Sequence, residues 1–220
     1  MKITETFLSI QGEGIHSGIP SFFVRLSGCN LRCSYCDTKY SYSGGDERSI
    51  KDIMSEVKEK SADFKLVCIT GGEPLIKKDT KELINVLIKN KFKVDIETNG
   101  SVLIDRFPNS NHIMYSLDIK CPSSKMSKRM KLENLYLLKK KDQVKFIIGD
   151  RKDFLYAKSI VLKYGLIKKT NVIFSPIGGV YANKLVRWVL QKKLNIRVSL
   201  QIHKVIWKSE KEELQLVDYE

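Results

Sequence analysis

The sequence predicts an α/β fold: a partial, open barrel of about six or seven mostly parallel strands with few helices, formed by residues 1–220 as a single domain. Strand-like and helix-like segments alternate along the chain with short connections, the pattern of parallel strands joined by right-handed crossovers. Seven segments read as strands, too few for a closed eight-stranded barrel. Polar or glycine-rich turns follow the strands one after another, and in such a fold those turns converge on one rim and form the site.

The first strand is read at residues 20–27 (PSFFVRLS), ahead of a cysteine loop and a turn at Gly44 and Gly45. Ser49 with Asp52 has the form of a capping box, and Ile50, Ile53, Met54 and Val57 then recur at helical spacing. Residues 66–70 form the second strand, which runs into Gly71-Gly72-Glu73-Pro74; the helix after it carries Leu83, Ile84, Leu87 and Ile88 on one face. Residues 93–97, 113–117 and 143–148 are strand-like. Asp150 and Asp153 open a helix whose Phe154, Ala157, Ile160, Val161 and Tyr164 form one stripe, and Gly165 closes it. A strand at 171–175, a helix at 181–191 and a last strand at 196–200 complete the pattern. The cysteine loop, Gly71-Gly72-Glu73-Pro74, Glu97-Thr98-Asn99-Gly100, Asp118-Ile119-Lys120 and Ser175-Pro176 all fall at or just after strand ends.

With 220 residues the chain is long enough to bury a full core without disulfide staples. Its balance of 42% apolar and 29% charged residues, with only five prolines, excludes long disordered tracts. No apolar run approaches the roughly 18 residues of a membrane span, and the start of the chain has no leader pattern, so a cytoplasmic protein off the membrane is expected. Three of the five cysteines fall within eight positions, which suits metal ligation in a reducing compartment better than disulfides. The net charge of +14 fits a nucleic-acid surface, acidic substrates or partners, or a lysine-rich composition alone. Lys77, Lys78, Lys81 and Lys89 sit on a helix-like segment as a solvated face, and the run Lys139, Lys140, Lys141 reads the same way. A non-enzymatic RNA-binding protein would account for the charge, but no RRM, KH or zinc-finger pattern accompanies it, so direct nucleic-acid binding is not expected.

Cys29, Cys33 and Cys36, spaced C-x3-C-x2-C, put three thiolates in one tight loop, as three corners of an iron–sulfur cube require, with one iron left open. A structural zinc site closes four ligands in paired C-x2-C knuckles, and no second pair exists. Cys68 and Cys121 match no ligand pattern and read as small buried hydrophobes. With Tyr35 directly before Cys36, and Gly71-Gly72-Glu73-Pro74 after the next strand, the loop resembles that of the radical SAM superfamily. The resemblance implies a radical SAM barrel, a 4Fe-4S cluster on the three cysteines and S-adenosylmethionine (SAM) at the open iron. It also implies Tyr35 beside the adenine and the Gly-Gly turn against the SAM amino group, where a missing Cβ gives room.

A closer resemblance covers nearly the whole chain. Ser9-Ile10-Gln11-Gly12-Glu13-Gly14, Phe23-Val24-Arg25-Leu26-Ser27-Gly28-Cys29, Cys36-Asp37-Thr38, Asp118-Ile119-Lys120-Cys121-Pro122-Ser123-Ser124 and, more weakly, Gln201-Ile202-His203-Lys204 resemble segments of the 7-carboxy-7-deazaguanine synthases. This resemblance implies contraction of 6-carboxy-5,6,7,8-tetrahydropterin to 7-carboxy-7-deazaguanine with loss of ammonia, for queuosine or archaeosine. No side chain then serves as the catalytic acid or base. Matched residue by residue, Ile10, Gln11, Gly12, Arg25, Thr70 and His203 would bind the pterin. Ser34, Tyr35, Cys36, Asp37, Gly72, Asp118, Ile119, Lys120 and Ser175 would bind SAM, and Thr38 would ligate Mg²⁺. A glutamine amide can donate to and accept from a pterin edge, a guanidinium fork pairs a carboxylate, and a hydroxyl is a hard oxygen ligand. The plainer readings are a polar loop for Gln11, a salt-bridged strand arginine for Arg25, a turn cap for Thr38 and a structural histidine for His203. Some members carry Ser-Pro-Lys where this chain has Asp118-Ile119-Lys120, which leaves open which side chain meets SAM. The resemblance also implies a homodimer and an electron donor such as flavodoxin. An activase that installs a glycyl radical in a partner enzyme shares the cysteine loop, but the Gln11 and Thr38 segments argue against it.

Overall fold

The computed structural model describes residues 1–61, 63–179 and 182–207. Its strands are β1 (Lys2–Ile10), β2 (Pro20–Leu26), β3 (Asp46–Glu47), β4 (Leu66–Gly71), β5 (Lys93–Thr98), β6 (Ile113–Ile119), β7 (Gln143–Ile148), β8 (Asn171–Pro176) and β9 (Arg197–Val198). They form one open sheet in the order β3-β1-β2-β4-β5-β6-β7-β8-β9. From β2 through β9 every pairing is parallel, while β1 runs antiparallel to both β2 and β3. The seven parallel strands are those read from the sequence. β1 and β3 are additions, and the segment read as a loop from Ser9 in fact begins inside β1. In β1 only Ile3 and Ser9 are buried, so no apolar alternation marks it as a strand. The last strand is shorter than expected: Ile196 N bonds back to Leu194 O and Leu200 is exposed, leaving Arg197 and Val198 to pair with β8.

The helices are α1 (Ile50–Ser61), α2 (Thr80–Lys89), α3 (Asn134–Leu137), α4 (Arg151–Lys163), α5 (Leu166–Lys169), α6 (Ala182–Gln191) and α7 (His203–Ile206). The four longest are those expected; Tyr181, where the sequence starts the fourth, lies outside the described residues. Ser49 and Asp52 cap α1 reciprocally, Oγ accepting from Asp52 N at 3.1 Å and Oδ2 from Ser49 N at 3.3 Å. Asp150 caps α4 by accepting from Asp153 N at 2.8 Å, and Gly165 ends that helix with φ 60°, a conformation glycine adopts without strain.

Alternate residues of the parallel strands go to opposite sides of the sheet. One set, including Val24, Val67, Ile69, Val94, Ile96, Val144, Phe146 and Phe174, packs with the apolar stripes of α1, α2, α4 and α6 in one core. Each large side chain fully buried there contributes roughly 1.5–3 kcal/mol. Cys121 belongs to this core, as a small hydrophobe should. The other set mixes a few apolar residues such as Phe23, Met114 and Ile173 with a polar majority: Arg25 pairs in register with Thr70, Cys68 with Asp95, Glu97 with Ser116, Ser116 with Gln143, and Asp118 with Lys145. That side of the sheet is therefore built for a polar guest.

Candidate active site

A cavity of about 1000 Å³ opens on that polar side. Its wall includes Cys29, Cys33, Cys36 and Gly72 together with Ile10, Gln11, Gly12, Arg25, Thr70, Asp118, Lys120, Gln201 and His203. Tyr35, Asp37 and Thr38 also face it, so most of the residues singled out in the sequence meet in one space. Three do not line it. Ser34 is exposed and donates to Ser123 O at 2.7 Å, Ile119 is in the core, and Ser175 is buried within β8 while Pro176 and Ile177 reach the wall.

The cysteine loop leaves β2 and is stitched to the turn after β4. Gly72 N bonds Leu26 O at 3.1 Å and Glu73 N bonds Gly28 O at 2.9 Å. A Cβ on Gly72 would collide with the Gly28 carbonyl and Cys29 Cβ, so only glycine lets the two loops touch. Glu73 is fully buried and ties the turn to the end of β5, accepting from Leu75 N at 2.9 Å, Thr98 Oγ1 at 2.8 Å and Asn99 N at 2.6 Å. Burial pushes its carboxyl up to about 7 although these donors pull the other way. Asn99 Nδ2 in turn lies 3.8 Å from Cys29 Sγ, which also accepts from Leu31 N at 3.4 Å.

The chemistry around the cysteines suits a cluster with a polar organic ligand. Burial pushes the Cys29 and Cys33 thiols up, so bound iron rather than the protein is what would hold them as thiolates. Among the described residues no three His, Cys, Asp or Glu side chains close on a single ion; a cluster instead takes one thiolate per iron and a wider spread. Tyr35 Oη, Glu97 Oε1 and Asp118 Oδ1 are buried polar atoms without a hydrogen-bond partner in the structure, and all three residues line the cavity. Buried polar atoms of this kind point to a ligand that satisfies them.

Charge inside the cavity is paired. Lys145, on β7 and 5% exposed, reaches Glu97 Oε2 at 2.7 Å and Glu13 Oε2 at 2.9 Å. Burial alone would raise the Glu13 carboxyl, yet the Lys145 ammonium and the Gln201 amide bring it down to about 2. Lys120 pairs with Asp118 at 2.7 Å, and that carboxylate holds the lysine charged despite its burial. Arg25 Nε meets Glu5 Oε1 at 2.5 Å, and the guanidinium lies over the Phe7 and Tyr40 rings. Thr38 Oγ1 donates to Asp37 Oδ1 at 2.9 Å, and Asp37 Oδ2 meets Lys204 at 2.5 Å. The sequence reading placed Glu97 on the rim without giving it a role, and missed Glu5, Glu13 and Lys145 as parts of the site. A signal was there: parallel strands buried on both faces read as continuous apolar runs, and Asp95, Glu97 and Lys145 interrupt two of them.

The radical SAM superfamily model matches residues 23–178. Over 217 residues the chain is 41% identical to a 7-carboxy-7-deazaguanine synthase of Clostridium acetobutylicum, covering 96% of this chain and 97% of that one. It is 42% identical to the 7-carboxy-7-deazaguanine synthase of Methanospirillum hungatei, over 94% of this chain and 85% of the relative. The chain belongs to the radical SAM superfamily and, within it, to the 7-carboxy-7-deazaguanine synthases. Like other radical SAM proteins, a 7-carboxy-7-deazaguanine synthase works with a 4Fe-4S cluster and SAM. The fold agrees: QueE from Escherichia coli superposes with a TM-score of 0.70 at 23% identity, over 91% of this chain and 93% of that one. The curated relatives favour neither the activase nor the RNA-binding reading.

Proposed function

We propose that this chain, acting as one catalytic unit, converts 6-carboxy-5,6,7,8-tetrahydropterin to 7-carboxy-7-deazaguanine with loss of ammonia. The observation that carries the reading is one polar cavity whose wall brings together the three cysteines, the Gly-Gly turn, the Gln11 loop, Arg25 and His203. SAM held at the cluster's open iron would supply the 5'-deoxyadenosyl radical that takes a hydrogen from carbon 6 of the pterin.

The protein's own part is to hold and orient. Cys29, Cys33 and Cys36 ligate the cluster. Gly72 offers backbone to the SAM amino group, Tyr35 lies beside the adenine, and Asp37, Asp118 and Lys120 supply polar contacts. Ser34, Ile119 and Ser175 support these contacts through backbone and packing. Arg25, its Nε held by Glu5, presents the rest of its guanidinium to the substrate carboxylate. Gln11, with Ile10, Gly12, Thr70 and His203, fits the pterin ring, and Lys145 Nζ keeps a proton at the wall between Glu13 and Glu97.

Thr38 contributes one hard oxygen to a Mg²⁺ site completed by waters and the substrate carboxylate. A homodimer in the cytoplasm, reduced by a one-electron donor such as flavodoxin, completes the reading. Five unpaired cysteines suit that reducing setting. The test is an anaerobic assay with SAM, dithionite, Mg²⁺ and the pterin, read by product mass. A cluster-loaded protein that cleaves SAM but leaves the pterin unchanged would refute the substrate.

A further inference from the structure

Gln11 follows β1, and its side chain is 4% exposed where it meets β4 and β5. Its Nε2 lies 3.6 Å from Cys68 Sγ. Asp95 is the register partner of Cys68 on the neighbouring strand, and its carboxylate is close enough to feel the Gln11 amide as a hydrogen-bonding neighbour. Asp95 is 1% exposed and is not part of the cavity wall, whereas Gln11 is. The other neighbour of Asp95 is His16, from the same loop as Gln11, with Nδ1 at 2.8 Å from Oδ2.

In its ionised form the Asp95 carboxylate only accepts, and both neighbours then donate to it: His16 through Nδ1–H and Gln11 through its NH₂. Burial pushes the Asp95 carboxyl up, and His16, Gln11 and the Lys145 charge oppose that push. With its NH₂ turned to Asp95 and Cys68, the Gln11 amide has its carbonyl oxygen left for another partner.

We propose that Asp95 is a positioning residue that acts through Gln11, fixing the amide so that the cavity meets a carbonyl oxygen and selects a heterocycle edge that donates N–H. The inference rests on the reading of Gln11 as a substrate contact. It adds a residue outside the cavity that decides which hydrogen-bonding pattern Gln11 accepts.

A double-mutant cycle read as equilibrium binding tests it. Anaerobic holoenzyme with its cluster and SAM, given no reductant, is titrated calorimetrically with 6-carboxy-5,6,7,8-tetrahydropterin. In Asp95→Asn the one acceptor oxygen stays with His16 and the new NH₂ faces Gln11. The Gln11 amide then turns over, and affinity is expected to fall about tenfold or more. Gln11→Glu sets a carboxylate against Asp95 and also binds weakly. Combining Gln11→Glu with Asp95→Asn restores donor to acceptor and leaves an oxygen facing the cavity, so affinity should return to within about threefold of the wild type.

A merely structural Asp95 gives no such recovery. Wild-type affinity in Asp95→Asn, or a double variant no tighter than the weaker single one, overturns the proposal. Gln11→Ala separates the two levels. If it binds as the wild type does, the substrate reading of Gln11 fails and the proposal falls with it. If it binds weakly while the swap gives no recovery, the positioning role alone falls. Should Asp95→Asn load its cluster poorly, a double variant that regains both cluster content and affinity supports the proposal, and one as poorly loaded as Asp95→Asn overturns it.

Discussion

Arg25 reaches the cavity with one side of its guanidinium already engaged by Glu5 and its face over two aromatic rings. This pairing within the sheet is the plainer reading of a strand arginine, and it also sets the angle of the remaining N–H groups. Arg25→Lys keeps the charge but loses the planar fork. The variant is expected to keep its iron while substrate affinity drops roughly one to two decades, with 5'-deoxyadenosine formed in excess of product. Wild-type affinity with matched product would leave Arg25 only its structural pairing. In the cysteine loop, Cys33→Ala should lose cluster iron and SAM cleavage together, because two thiolates are too few to hold the cube. Iron per chain and 5'-deoxyadenosine yield measure this, and a full cluster would remove Cys33 from the ligands. Thr38→Val deletes a hydroxyl and little volume. Iron content should not change, and the Mg²⁺ dependence of turnover should weaken; an unaltered Mg²⁺ titration would free Thr38 from that role.

The loop between β1 and β2 is the element that makes the cavity specific, and its side chains and backbone are tied to the parallel strands at four points. Gln11 meets Cys68, Glu13 meets Lys145, Ile15 N donates to Gln143 Oε1 at 2.8 Å, and His16 meets Asp95. Glu13 carries a pH signature. Its carboxyl is lowered in the fold to about 2 from 4.5, so its contribution is fully present above about 4.5 and is lost as pH falls toward 2. The difference in urea midpoint between wild type and Glu13→Gln should therefore be steady from neutral pH to about 5 and shrink below it. A difference that stays constant into the acid range would mean that Glu13 is not held by Lys145. The sequence showed this loop's motif but not its ties, because each tie joins residues far apart in the chain. β1 was hidden for a different reason: at the side of the sheet most of its residues are half-exposed, so burial left no alternation to read. The capping boxes and helix stripes were legible because their partners lie within a few residues of one another.

For the molecule as a whole, the parallel order of the sheet was readable from alternation and short connections, while the additions at its ends were not. The cysteine loop and the Gly-Gly turn were readable because ligand spacing is local. The polar side was only half readable: Asp95, Glu97 and Lys145 are charges inside buried strands, a signal the sequence reading passed over, and which of them meet depends on how the strands are arranged in the sheet. One sheet thus carries an apolar core on one side and a paired, charged cavity on the other. The most direct measurement is the anaerobic reaction of the reconstituted enzyme with SAM, dithionite, Mg²⁺ and 6-carboxy-5,6,7,8-tetrahydropterin, followed by product mass and released ammonia. The expected result is 7-carboxy-7-deazaguanine and ammonia in equal amounts, with more product formed than SAM consumed. Formation of 5'-deoxyadenosine with neither product, from protein carrying a full cluster, would contradict it.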